Sequence, residues 1–102
     1  MDPIQEQIDK EVKDNKIVIF MKGLPEAPQC GFSAKTVEIL NTLQQPYKAI
    51  DVLSDSRIRQ GIKVYSNWPT IPQVFINGEF IGGCDIISEM YQRGELKKLL
   101  EE

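Results

Sequence analysis

The chain has 102 residues, 12 of them lysine or arginine and 15 aspartate or glutamate, for a net charge of −3. That length fits one domain over residues 1–102, able to bury roughly two thirds of the surface its unfolded form exposes, and the mild, evenly spread acidity offers neither a nucleic-acid footprint nor a polybasic membrane segment. Two cysteines make no disulfide framework or compact zinc knuckle, and the absence of histidine removes Cys-His catalysis and the usual imidazole base. No apolar segment reaches bilayer-spanning length and Met1 opens no secretory pattern. The expectation is a cytoplasmic protein, or one of an organelle matrix if a transit peptide has been removed.

Pro3 to Asp14 places Ile4, Ile8 and Val12 four residues apart among charged residues, and proline suits a first helical turn, so an amphipathic helix is predicted. Ile17 to Met21 is a short β-branched and aromatic run, predicted as a strand buried on both faces. Its carboxyl end opens into a proline-broken loop, Lys22 to Gln29, which leads to Cys30 at the start of a helix from Gly31 to about Gln44. That helix is expected to bury Phe32, Val37 and Leu40 and to stop before Pro46. Tyr47 to Val52 is a second strand candidate, parallel to the first because a helix separates them.

After a turn at Ser54-Asp55, Arg57 to Tyr65 is predicted as a short helix with Ile58 and Ile62 inward. Arg59 and Lys63 lie together on another face, one turn apart, where they could converge on an anion. Gln73 to Ile76 and Glu79 to Ile81 flank Asn77-Gly78, the strongest short hairpin signal, and are expected to be antiparallel. Gly82-Gly83-Cys84-Asp85 then leads into a helix from Ile86 to about Gln92, and a short amphipathic piece ends near Leu100. This order gives an α/β fold, a four-stranded mixed sheet with helices on both faces. It is compatible with a thioredoxin-like topology, although pattern alone does not select it.

Cys30 is the candidate centre of function. A helix N-terminus presents unpaired N–H groups and a partial positive charge, both of which favour thiolate over thiol, and Lys22 adds a full charge nearby. Where a redox dithiol would carry its second sulfur stands Ser33, so the motif activates one sulfur and needs another from elsewhere. Taken singly, the remaining candidates have plainer readings: Lys22, Arg59 and Lys63 as solvated cations, Trp68 as packing, Pro72 as an ordinary trans residue, Gly82-Gly83 as a turn and Asp85 as a helix-terminal charge.

Lys22, Cys30-Gly31-Phe32-Ser33, Trp68-Pro69-Thr70-Ile71-Pro72-Gln73 and Gly82-Gly83-Cys84-Asp85-Ile86 occur in one order along the chain. With them the sequence closely resembles the monothiol, CGFS-type glutaredoxins over nearly its whole length. The resemblance implies a thioredoxin fold with Pro72 in cis, glutathione binding, and a 2Fe-2S cluster bridging two subunits. It places Lys22, Arg59 and Lys63 around the glycyl end of glutathione and the Gly83-Cys84 helix opening at its γ-glutamyl carboxylate, with Asp85 at its ammonium. The Ile71 backbone, turned by Pro72, would pair with the ligand's peptide, and Thr70 would join the same wall.

A 2Fe-2S cluster needs about four ligands, normally thiolates. Two copies of Cys30 and two glutathione thiols would supply them, which makes cluster binding, glutathione binding and homodimer formation one event. Cys84 has two readings, a wall residue acting through its backbone or a resolving thiol that forms a disulfide with Cys30. The leading function is cluster transfer to iron-sulfur apoproteins, with a role in redox homeostasis and a BolA-like partner implied by the resemblance. The rival is a glutathione-dependent thiol-disulfide oxidoreductase that deglutathionylates proteins through Cys30, at most a weak enzyme. A third reading is an adaptor whose sulfur is incidental.

Overall fold

Ile17–Met21 forms β1, and all five of its residues are buried, as expected of a strand covered on both faces. In this computed structural model, which describes residues 1–101, β1 is preceded by α1 (Pro3–Asp14), whose first turn is capped by Asp2 accepting from the Gln5 N–H at 2.8 Å. After β1 comes a two-strand hairpin, β2 (Gly23–Leu24) and β3 (Ala27–Pro28), then α2 (Gly31–Thr42), β4 (Lys48–Asp51) and α3 (Ser56–Ser66). The chain continues through β5 (Gln73–Ile76), β6 (Glu79–Gly82), α4 (Cys84–Gln92) and α5 (Glu95–Leu100).

The sheet order is β4-β1-β5-β6. β1 runs parallel to β4, with Phe20 opposite Ile50, and antiparallel to β5, with Phe20 opposite Gln73. β5 and β6 are antiparallel around Asn77-Gly78, where φ is positive at both residues. The four-stranded mixed sheet and the helices flanking it stand as read from the sequence.

Alternation along the strands splits the core in two. Ile17, Ile19, Met21, Val74 and Ile76 pack under α2, α4 and α5, whereas Val18, Phe20 and Phe75 pack under α1 and α3. On the second side, Gly61 lets the two helices approach closely: a Cβ there would lie 2.7 Å from Ile4. Tyr65 on α3 donates to Asp9 on α1 at 2.7 Å, and burial together with that acceptor pushes its phenol up to about 12 from 10.0.

The protonated phenol therefore contributes stability that is fully present below about pH 10 and is lost as pH rises through about 12. Tyr65→Phe should cost about 1 kcal/mol at neutral pH. The gap between variant and wild type, followed by urea unfolding, should shrink across that alkaline window.

Several expectations need adjustment. The loop from Lys22 to Gln29 is not irregular but contains the β2–β3 hairpin, too short for any periodicity to show. The second helix ends at Thr42, where Gln44 turns to φ 55, and the second strand is confined to Lys48–Asp51. The α4 helix begins at Cys84, two residues before the expected start.

Phe32 is not buried: it is 63% exposed. The inward stripe of α2 is Ser33, Thr36, Val37, Ile39 and Leu40, so it starts on a polar residue, and Phe32 lies roughly 100° away from that residue around the helix. Hydropathy selected the wrong member of the pair.

Candidate functional site

Cys30 is the N-cap of α2, with extended backbone (φ −154, ψ 134), and no side chain caps the helix. Its carbonyl accepts from Ala34 N–H at 2.9 Å while its sulfur sits among the free N–H groups of the first turn. The Ser33 N–H is the main influence holding the thiol below its ordinary value, and it outweighs an opposing contribution from burial. The Phe32 N–H, the charge of Lys22 and the Ser33 hydroxyl act in the same direction. The arrangement produces a partly buried sulfur biased toward thiolate.

The approach to Cys30 is held by hydrogen bonds that the loop composition did not reveal. Gln29 N–H donates to the Lys22 carbonyl at 2.9 Å and closes the hairpin. Gly23 N–H donates to Asp51 Oδ1 at 2.9 Å, and Leu53 N–H reaches the same oxygen at 2.8 Å, which ties the hairpin to the end of β4. Lys22 N–H donates to the fully buried Ser33 Oγ at 3.1 Å. Ser33 thus does more than replace a second thiol, because it couples the end of β1 to the first turn of α2.

Replacing Ser33 with alanine removes that acceptor and one source of thiolate stabilisation. The Cys30 titration midpoint should move upward, and iodoacetamide alkylation near neutral pH should slow by a few-fold. A rate profile over pH measures both.

One cleft of about 550 Å³ gathers the candidates. Lys22 and Cys30 line it beside Arg59 and Lys63 from α3; Thr70, Ile71 and Pro72 supply one wall, and Gly83, Cys84 and Asp85 supply another. The Ile71–Pro72 peptide bond is cis. Among the described residues none of the three cations takes part in an ion pair, so their charge is available to an anion. Gly83 is the N-cap of α4, no side chain caps that helix, and exposed Asp85 stands in its first turn.

A Cβ on Gly83 would lie 3.1 Å from the Pro72 carbonyl oxygen, so the two walls meet where only a glycine fits comfortably. Cys84 is 7% exposed, and both thiols are free. Phe32, Trp68, Pro69 and Ile86 also line the cleft without having been assigned to it. Phe32, Trp68 and Ile86 are among the exposed large apolar side chains of the molecule, and their place in the quoted motifs was the available signal.

Among the described residues no three His, Cys, Asp or Glu side chains come together as metal ligands. Cys30 is a sulfur biased toward thiolate at this cleft. Such a sulfur is chemically able to exchange with an external sulfur compound or to ligate a metal centre completed from outside the chain.

Residues 17–81 match the glutaredoxin family. The chain is 60% identical over 95 residues to the monothiol glutaredoxin ycf64-like protein of Synechocystis sp., covering 93% of this chain and 89% of that one. Among solved structures, reduced poplar apo GrxS14 superposes with a TM-score of 0.84 at 48% identity, covering 96% of this chain and 90% of that chain. A buckwheat glutaredoxin-glutathione complex superposes with a TM-score of 0.85 at 26% identity, covering 96% and 87%.

Proposed function

The chain belongs to the glutaredoxin family, with monothiol glutaredoxins among its relatives, and on that premise we propose that it binds glutathione beside Cys30 and carries a subunit-bridging 2Fe-2S cluster to iron-sulfur apoproteins. The observation that carries this reading is the convergence, in one cleft, of the Cys30 thiol biased toward thiolate, three cations that form no ion pair among the described residues and a helix N-terminus with no side-chain cap. Glutathione has two carboxylates, one ammonium and a thiol, and each has a chemical counterpart there. Lys22, Arg59 and Lys63 take the glycyl carboxylate; the first N–H groups of α4 take the γ-glutamyl carboxylate and Asp85 the ammonium. The Ile71 backbone, with Thr70 and Pro72 beside it, lies along the peptide. The similarity to a buckwheat glutaredoxin solved as a glutathione complex supports glutathione as the ligand.

The donor set fits the cluster as cargo only when doubled. One chain gives one thiolate, so two chains with two glutathione thiols provide about four ligands. An apoprotein thiolate then displaces Cys30 by ligand exchange, and a BolA-like protein acts as a regulatory partner. No described helix is long and apolar enough to cross a membrane; we place the protein in the cytoplasm or an organelle matrix.

The lowered pKa and partial exposure of Cys30 also favour a second reading. Cys30 thiolate attacks the glutathione sulfur of a glutathionylated protein and expels the protein thiolate; a second glutathione thiolate then attacks the Cys30 mixed disulfide, releasing oxidised glutathione and restoring Cys30. Anaerobic reconstitution with iron, sulfide and glutathione, read by visible absorption and mass, separates the two. A coloured dimer that fails to form without glutathione is expected. A folded, reduced protein that forms none under the same conditions would remove the carrier function and leave the exchange cycle.

A further inference from the structure

Gln73 is fully buried at the start of β5, opposite Phe20 of β1, where an apolar side chain would fill the space without polar cost. Its Nε2 donates to the Trp68 and Thr70 carbonyls, both at 3.1 Å. Among the described residues its Oε1 has no partner. Both neighbours are carbonyls, so only a donor can face them, and the amide spends its donors on the loop while its acceptor stays unpaired. That loop is held from its other end as well: Trp68 N–H donates to the Lys63 carbonyl at 3.2 Å, where α3 ends at left-handed Asn67.

We propose that Gln73 is a positioning residue of the cleft: from inside the sheet it holds two carbonyls of the Trp68–Pro72 segment and fixes the wall on which a peptide ligand lies. Gln73 itself does not line the cleft, whereas Trp68, Thr70, Ile71 and Pro72 do. β5 is paired with β1, which ends at Met21 immediately before Lys22, so the wall is set relative to the Cys30 side through two adjacent strands. Without the amide the wall samples several positions, and a ligand must then select one of them. The part of this inference that concerns ligand affinity rests on the reading of the cleft as a glutathione site.

The test uses the full chain, reduced glutathione and Gln73→Met, which keeps the length of the side chain while replacing its amide with an apolar end that lacks the donors. Trp68 is the only tryptophan, so acrylamide quenching reports the loop, and urea unfolding shows whether the variant is folded. The folded variant should show higher Trp68 quenching and roughly tenfold weaker glutathione binding. Unchanged affinity in a folded variant would overturn the proposal. If the wild type itself binds no glutathione, the functional reading fails and quenching alone decides Gln73, an unchanged value counting against it. If the variant does not fold, hydrogen exchange of the Gln73 side-chain amide in the wild type decides: protection supports the clamp, and exchange as fast as an exposed amide overturns it.

Discussion

Cys30→Ser is expected to abolish the coloured dimer in anaerobic reconstitution and to reduce exchange with a glutathione mixed disulfide to the protein-free background. Serine stays protonated at neutral pH and is a poor ligand for iron, so neither ligation nor nucleophilic attack survives the change. The fold should be preserved. Cys30 occupies an N-cap position, which serine favours, and its side chain caps nothing in the wild type, so the variant's stability should be equal or slightly higher.

That separation of function from stability makes the result decisive. A Cys30→Ser protein that still forms a coloured dimer would place the cluster elsewhere in the molecule. Cys84→Ser, measured alongside, should retain cluster formation if Cys84 acts only through its backbone. Retained cluster formation with loss of an oxidant-induced Cys30–Cys84 disulfide would identify the second cysteine as a resolving thiol.

Gly23→Ala should produce the largest effect of any single methyl group near the site. Gly23 has φ +88, a conformation costly for any residue with a Cβ. That Cβ would lie 2.6 Å from the Ala27 carbonyl oxygen and 2.8 Å from the Gln29 nitrogen, and backbone atoms cannot swing aside. A loss of about 2–4 kcal/mol is expected, a large share of the stability of a small domain. Urea midpoints measure it.

Gly31→Ala is the matched control, because a Cβ at Gly31 meets nothing within 4 Å. It should be neutral or slightly stabilising, since alanine is the better helix former. The site should register the difference too. Opening the hairpin disturbs the Gln29–Lys22 hydrogen bond and the Lys22–Ser33 coupling, so Cys30 alkylation should slow in Gly23→Ala and not in Gly31→Ala.

The sequence by itself determined the order of the helices and of the four sheet strands, the thiol at a helix start and the lack of a second sulfur at Ser33, but not the β2–β3 hairpin. Each is encoded locally: β-branched runs, four-residue apolar spacing, Asn77-Gly78 and the prolines state backbone preferences within a few residues of themselves. It also singled out the residues of the cleft walls, through motifs whose joint meaning came from resemblance. What it could not express were relations between distant segments. Asp51 holding Gly23 and Ser33 accepting from Lys22 are hydrogen bonds whose partners meet only after the sheet has formed, and Gln73 reaching back to the nearby Trp68 and Thr70 carbonyls depends on the turn of the loop between them.

Phe32 shows the same limit from the apolar side. Its hydrophobicity favoured burial, but burial depends on which helix face meets the sheet, and that face carries Val37, Ile39 and Leu40 together with Ser33, which accepts from Lys22 just beyond β1, leaving Phe32 at the mouth of the cleft. Only the tertiary structure decided that a polar serine would go inside and an aromatic would stay outside, because the serine shares the face of Val37 and Leu40 and its hydroxyl is satisfied by the Lys22 N–H, which makes its burial cheap.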